Sequence, residues 1–233
     1  MDASTHATPW FAIQPGYAVY RGPTTGAGPL HRHGAFQVAV GQRGDVAMDD
    51  AHGTRHRAAA LVVTPMASHR IHASTDLLTF FIEPHCAFAD LLRRDHRDGV
   101  SPAPEFRGLT VADVAEATRA PSAELDPRLT HAMNMISARD ASMSHVAAAV
   151  GLSAQRLRSL ARSQLGMPLT RWRTWVRLGA AAEAMRSGSS VTEAAGAAGF
   201  SDQAHLTRRM REMMGLTPAA VLPILLGQGL RAT

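Results

Sequence analysis

The 233-residue chain predicts an α+β protein of two domains, with a strand-rich amino-terminal half and an all-helical carboxyl-terminal half. Three observations predict it. Apolar residues alternate with period two around residues 36–40 and 78–82, helical periodicity takes over after residue 127, and one helix-turn-helix pattern occurs twice in the second half.

In the first half, Phe36, Val38 and Val40 alternate with Gln37 and Ala39, and Leu78, Phe80 and Ile82 alternate with Thr79 and Phe81, as half-buried strands do. Leu61-Val62-Val63 reads as another strand. Turn residues separate these runs at Gly22-Pro23, Gly28-Pro29, Gly41, Gly44, Gly53 and Pro65, so many short strands with tight connections are expected. An antiparallel barrel over residues 10–85 is their natural closure.

Residues 86–126 read as a join, since Gly99, Pro102, Pro104, Gly108 and Pro121 interrupt any long element. Two short helices fit within it, Phe88 to Arg97 with Leu91-Leu92 on an apolar stripe, and Leu109 to Arg119. They can pair two protomers as a homodimer or pack on their own barrel.

Residues 127–233 open with Pro127 at a first helical position and hold the repeated pattern, at about 144–165 and 192–213. Each copy starts on an apolar residue followed by a hydroxyl, Met143-Ser144 and Val191-Thr192, a staple and cap. Gly151 or Gly199 ends the first helix, and Leu152-Ser153 or Phe200-Ser201 turns the chain into a second one. That second helix keeps a narrow apolar stripe, Leu157 and Leu160 or Leu206 and Met210. It leaves Gln155, Arg156, Arg158, Gln203, His205, Arg208 and Arg209 free, furnishing suited to a major groove.

Charge segregates the same way. Every basic residue is Arg; residues 128–233 carry a net +8 while residues 1–127 carry −3. A basic helical half facing an acidic strand-rich half points to double-stranded DNA as the partner, through phosphate neutralisation.

On these residues the last hundred or so positions resemble the DNA-binding domain of the AraC family of bacterial transcription regulators, a homeodomain-like double helix-turn-helix. Gly199-Phe200-Ser201-Asp202, Leu206-Thr207-Arg208 and Gly215-Leu216-Thr217-Pro218 carry the resemblance most strongly. Trp172, Arg177-Leu178, Ala181 and Met185 resemble the long helix joining the family's two helix pairs, and Asp126-Pro127-Arg128 resembles the domain's start. The resemblance implies base reading by Gln155, Arg158 and Ser159 in the first recognition helix and by Gln203, Ala204, His205 and Arg208 in the second. Gln suits adenine and Arg guanine. Ser159, Ala161 and Met210 depart from the family's usual Arg, Phe and Phe, which implies a looser first helix pair that reads fewer bases. Arg208 has a second reading, as a phosphate contact or a brace of the core. The resemblance also implies an activator that recruits RNA polymerase.

His31-Arg32-His33, Gln37, the Gly41 to Gly44 turn, Pro65 and His69 resemble a cupin barrel of the kind fused to AraC-type domains. His31 and His33, two apart on a strand, would face one side and His69 would reach them across the barrel, where cupin enzymes hold a metal. Such enzymes add a Glu where this chain has Gln37, so His31, His33, Gln37 and His69 are read as lining a pocket for a small-molecule effector, with no cofactor required. Two alternatives remain: a metal-dependent cupin enzyme with a DNA-binding tail, and an interaction module that has lost base reading, suggested by Ser159 and Ala161.

Cys86 stands alone, so an internal disulfide and a Cys-based zinc site are both excluded, and it reads as a small buried hydrophobe. The start MDASTHATPW lacks the basic flank and apolar run of a signal peptide. The apolar stretch Ala219 to Leu226 is short and contains Pro223, so no membrane span and a cytoplasmic location are expected.

Overall fold

The computed structural model describes residues 8–26, 28–138 and 141–227, so the signal-peptide reading rests largely on residues outside it. Two antiparallel sheets form the amino-terminal region. One contains β1 (Trp10–Gln14), β2 (Tyr17–Thr24), β3 (Phe36–Gly41), β6 (Ala60–Val63), β8 (Ser74–Ile82) and β9 (Val100–Pro102) in the order β1-β2-β8-β3-β6-β9. The other contains β4 (Val46–Asp50), β5 (Arg55–Ala58) and β7 (His69–Ile71) in the order β5-β4-β7. The sheets pack face to face, and among the described residues no ladder joins them into a closed barrel.

The period-two strands differ from expectation in an instructive way. Val38 opposes both Phe80 and Val62, and these residues pack under α1 (Ala87–Asp95), α2 (Val111–Ala117) and Cys86. The alternate residues Gln37, Ala39 and Thr79 are buried too. Ala39, Leu61, Val63 and Leu77 meet Val46 and Met48 of the second sheet. Both faces of β3 are therefore inside, and its alternation marks two different interiors. β9 adds a strand beyond residue 85, where Pro102 sits at the end of an edge strand, the position that tolerates a missing N–H.

Helix α1 buries Phe88, Ala89 and Leu92 against its own sheet and turns Leu91 outward. The stripe read as Leu91-Leu92 thus rests on Leu92. The chain then runs back along α1, where the Asp90 carboxylate accepts hydrogen bonds from Ser122 Oγ (2.6 Å) and Ala123 N (2.8 Å).

The helical region follows: α3 (Pro127–Ala138), α4 (Met143–Ala149), α5 (Ala154–Leu165), α6 (Leu169–Arg186), α7 (Val191–Ala197), α8 (Gln203–Met214) and α9 (Pro218–Leu226). Three of the four caps lie one or two residues from their expected places. Ser142 caps α4 and Ser190, in a full capping box with Glu193, caps α7, so Met143 and Val191 are first helical residues. Ser153 caps α5 as its position suggests, whereas Asp202, not Ser201, caps α8. A carboxylate there complements the positive end of the helix dipole better than a hydroxyl. Gly151 and Gly199 adopt φ of 68° and 76°, the left-handed turn that frees α5 and α8 to cross their partners.

Helix α6 is the keel of this region. Its Trp172, Leu178, Ala181 and Met185 are buried in one core with Leu157, Leu160 and Ala161 of α5 and Leu206, Met210 and Met213 of α8. Ala161 and Met210, the departures from the family pattern, are 0% and 3% exposed, so smaller and more flexible side chains fill both helix pairs.

Candidate nucleic-acid interface and effector cavity

The two second helices of the pairs, α5 and α8, present the polar residues anticipated from sequence. Gln155, Arg156, Arg158 and Ser159 are exposed on α5, and Gln203, Ala204 and Arg208 are exposed on α8. His205 and Arg209 are half-buried and already engaged. His205 Nδ1 lies 3.1 Å from the Ser201 hydroxyl, and its ring meets Phe200 edge-on at 5.3 Å between centroids. Arg209 donates to Glu212 at 2.8 Å, and Glu212 also pairs with Arg171 of α6. Gln203 accepts a 3.0 Å hydrogen bond from Thr192, which fixes its carboxamide at the start of α8.

Between the sheets and the helices lies a cavity of about 630 Å³. Phe11, Tyr17 and Phe81 form its strand wall; Trp175, Leu178 and Gly179 of α6 and Met210 and Met214 of α8 form its helical wall. Leu216, Val221 and Ile224 close it from the turn before α9 and from α9 itself. The volume and apolar walls suit a small hydrophobic molecule. Glu83 supplies a titrating group: burial raises its carboxyl from 4.5 to about 7, against the pull of a hydrogen bond from Trp175.

His31, His33 and Gln37 line the same cavity and His69 lies behind them, all four buried. The expected geometry of a continuous strand reaching across a barrel is replaced by something tighter. His31 and His69 form an isolated antiparallel bridge, with N–H to carbonyl distances of 2.9 and 3.0 Å in the two directions, ahead of the strand that starts at Phe36. The ring centroids stand 4.5 to 5.1 Å apart. Each Nδ1 faces a main-chain carbonyl: Pro29 for His31 (3.1 Å), Met213 for His33 (2.7 Å) and Ala67 for His69 (3.1 Å). A carbonyl only accepts, so Nδ1 carries the hydrogen in all three rings. Burial lowers the pKa of all three, that of His69 to about 3, so the rings are neutral near pH 7.

Comparison with known proteins follows the same two regions. Residues 146–222 match a family model described as a helix-turn-helix domain. This is an AraC-type DNA-binding domain. No curated protein matches the chain in sequence. Among solved structures, ToxT from Vibrio cholerae O395 superposes with a TM-score of 0.61 at 10% identity, covering 92% of this chain and 100% of that one. Unsaturated fatty acid bound wild-type ToxT from Vibrio cholerae strain SCE256 gives 0.57 at 11% identity, over 95% and 98% of the two chains. An AraC-type regulator from Chromobacterium violaceum aligns at 23% identity over 46% of this chain and 96% of its own, with a TM-score of 0.40. The whole chain therefore has a ToxT-like two-domain fold, and the AraC-type domain makes it a DNA-binding transcription regulator. No described helix is long and apolar enough to cross a membrane.

Sequence reasoning had not reached Glu83, Trp175 or Gly179, the residues that carry the cavity into the AraC-type domain. A signal was present: α6 has Trp175, Val176, Leu178 and Ala182 in addition to Trp172 and Met185, leaving too few polar positions for one solvated face. A helix apolar on several sides is buried on several sides.

Proposed function

We propose that the protein is a cytoplasmic, ligand-responsive transcription regulator that reads double-stranded DNA through α5 and α8 and senses an apolar small molecule in the cavity between its sheets and helices. The observation that carries this reading is the cavity's composition: one wall belongs to the strands and the other to α6 and α8 of the DNA-binding domain. A molecule filling it touches the helix that sets the spacing of the two helix-turn-helix units, so its affinity differs between orientations of those units. The fatty acid bound by ToxT makes long-chain apolar compounds the first class to screen.

On DNA, Gln155, Arg158 and Ser159 of α5 and Gln203, Ala204, His205 and Arg208 of α8 enter successive major-groove turns on one face, while Arg156 lies toward the phosphates and Arg209 stays beside them on its Glu212 pair. Recruitment of RNA polymerase by this assembly, as an activator and as a homodimer, completes the proposal. The reading is not enzymatic.

Selection of bound sites from random duplex DNA by the purified protein, with and without an apolar compound library, tests it. The expected result is a motif with two subsites roughly one helical turn apart, about 10 base pairs, enriched differently when a compound binds. Lack of an enriched motif in both conditions would reject sequence-specific regulation.

A further inference from the structure

The three histidines have a property that lining a pocket does not require. Their Nδ1 hydrogens are committed to carbonyls, which leaves Nε2 as the lone-pair nitrogen of each ring. His33 Nε2 and His69 Nε2 are buried without a hydrogen-bond partner among the described residues. Buried acceptors without partners are rare because each forfeits its hydration, and three convergent neutral imidazoles are a costly way to line an apolar cavity. One nitrogen from each ring lies within 4.8 Å of the others. This pattern, Nδ1–H held by a main-chain carbonyl and Nε2 left with its lone pair, is how proteins orient metal-binding imidazoles.

The position of the cluster matters as much as its chemistry. His33 Nδ1 bonds the carbonyl of Met213 in the last turn of α8, and Arg32 N donates to the carbonyl of Glu212 at 3.3 Å. A Cβ placed on Gly215, which ends α8 at φ 67°, would stand 2.8 Å from His31 Nδ1, so the imidazole lies directly against that helix end. Met66 N donates to the carbonyl of His33 at 2.8 Å, tying the loop before His69 to the same point. The cluster joins two loops of the strand region to the end of the second recognition helix.

We propose that His31, His33 and His69 bind a divalent transition metal ion of the zinc type, and that the ion acts as a latch fixing α8 relative to the sheets. Neutral imidazole suits such ions, and the cluster borders the cavity that His31, His33 and Gln37 line. Coordination at about 2.0–2.1 Å sets imidazole nitrogens roughly 3.3 Å apart, so the rings close by about 1.5 Å at most from their 4.8 Å limit. That closure pulls the His31–His33 loop, and with it the end of α8, toward His69. Its effect on DNA rests on the proposed regulator reading, whereas binding of the ion does not.

The test uses the full-length protein, stripped with chelator and then equilibrated with Zn²⁺ or, for its visible absorption, Co²⁺. The expected result is one ion per chain with tetrahedral-type Co²⁺ bands and a higher melting temperature. His69→Gln and His31→Gln, checked for folding by circular dichroism, should lose all three, while His56→Ala, on the separate Asp50 pair, should keep them. Absence of bound metal in the native chain, or equal binding by both glutamine variants, overturns the site. Zn²⁺ should also change affinity for a selected DNA site at least about fivefold in the native chain and not in His69→Gln. Metal bound at the histidines with unchanged DNA affinity overturns the latch. If no DNA site is found, the regulator reading fails while metal stoichiometry still decides the site.

Discussion

His33 donates its Nδ1 hydrogen to the carbonyl of Met213 across 2.7 Å, a bond between residues 180 positions apart that caps the end of α8 from the strand region. The last four carbonyls of a helix lack partners within it. An imidazole hydrogen here satisfies one of them and fixes where α8 ends.

His33→Leu keeps the bulk against Phe81 and Trp175 and strands the Met213 carbonyl. The expected cost is about 1–3 kcal/mol of unfolding free energy, read by chemical denaturation in metal-free buffer. Because the bond joins two regions, the variant should also separate their unfolding into two steps. A loss under about 0.5 kcal/mol with one cooperative transition would show that the contact is incidental.

Glu83 predicts a pH dependence. Its folded pKa of about 7 exceeds the ordinary 4.5, so the native state holds the proton more tightly than the unfolded chain. The stabilisation is full below about pH 4.5 and is lost as pH rises through 7. Glu83→Gln keeps an acceptor for the Trp175 indole and removes the titration. The variant should gain about 2 kcal/mol relative to the native protein between pH 5 and pH 8. Stability curves that stay parallel over that range would place Glu83 in contact with water.

These relationships show what the sequence could and could not disclose. The helix pairs were legible because Gly151, Gly199 and the apolar stripes act locally. Even their capping errors stayed within two residues, since Ser142 and Ser144, or Ser201 and Asp202, offer rival oxygens to the same helix end. The histidine cluster was legible as a set and wrong in detail: Gly34 precedes the strand at Phe36, so His31 and His33 sit in a loop bridged to His69. β9 was hidden by its Pro102, since proline marks turns more often than edge strands. The cavity was not legible, because its walls come from β8 and α6, nearly a hundred residues apart, and Gln37 and Thr79 look like solvent-facing positions until that second interior is known.

Gly179 offers a way to fill the cavity. A Cβ there meets nothing within 4 Å, although the residue lies inside α6 and lines the space. Gly179→Ala should raise stability by about 0.5–1 kcal/mol through helix propensity alone. Gly179→Leu should place its side chain where a ligand sits. Fluorescence of the neutral probe N-phenyl-1-naphthylamine should rise with the native protein and with Gly179→Ala, and fall sharply with Gly179→Leu. Equal signals from all three would mean that the probe, and by extension an effector, binds elsewhere.

The arginines of the two recognition helices should divide by their present partners. Arg158 and Arg208 are exposed, whereas Arg209 is held by Glu212, itself paired with Arg171 of α6. An arginine already neutralised releases fewer counterions from DNA, because its contact requires breaking an ion pair first. Arg158→Ala or Arg208→Ala should therefore weaken DNA binding and reduce the slope of log affinity against log salt by about 1 each, with unfolding free energy changed by less than about 0.5 kcal/mol. Arg209→Ala should leave the slope nearly intact and lower stability instead, since Glu212 then keeps only Arg171 and the tie between α8 and α6 loosens. Gln203→Ala should act differently: its carboxamide, held by Thr192, is the proposed base contact, so preference at one position of the selected motif should relax without a change in slope. Salt titrations of the four variants on one DNA duplex, run beside denaturation curves, separate these outcomes. A slope loss for Arg209→Ala equal to that of Arg208→Ala would mean that the Glu212 pair opens on DNA and that both arginines of α8 meet it.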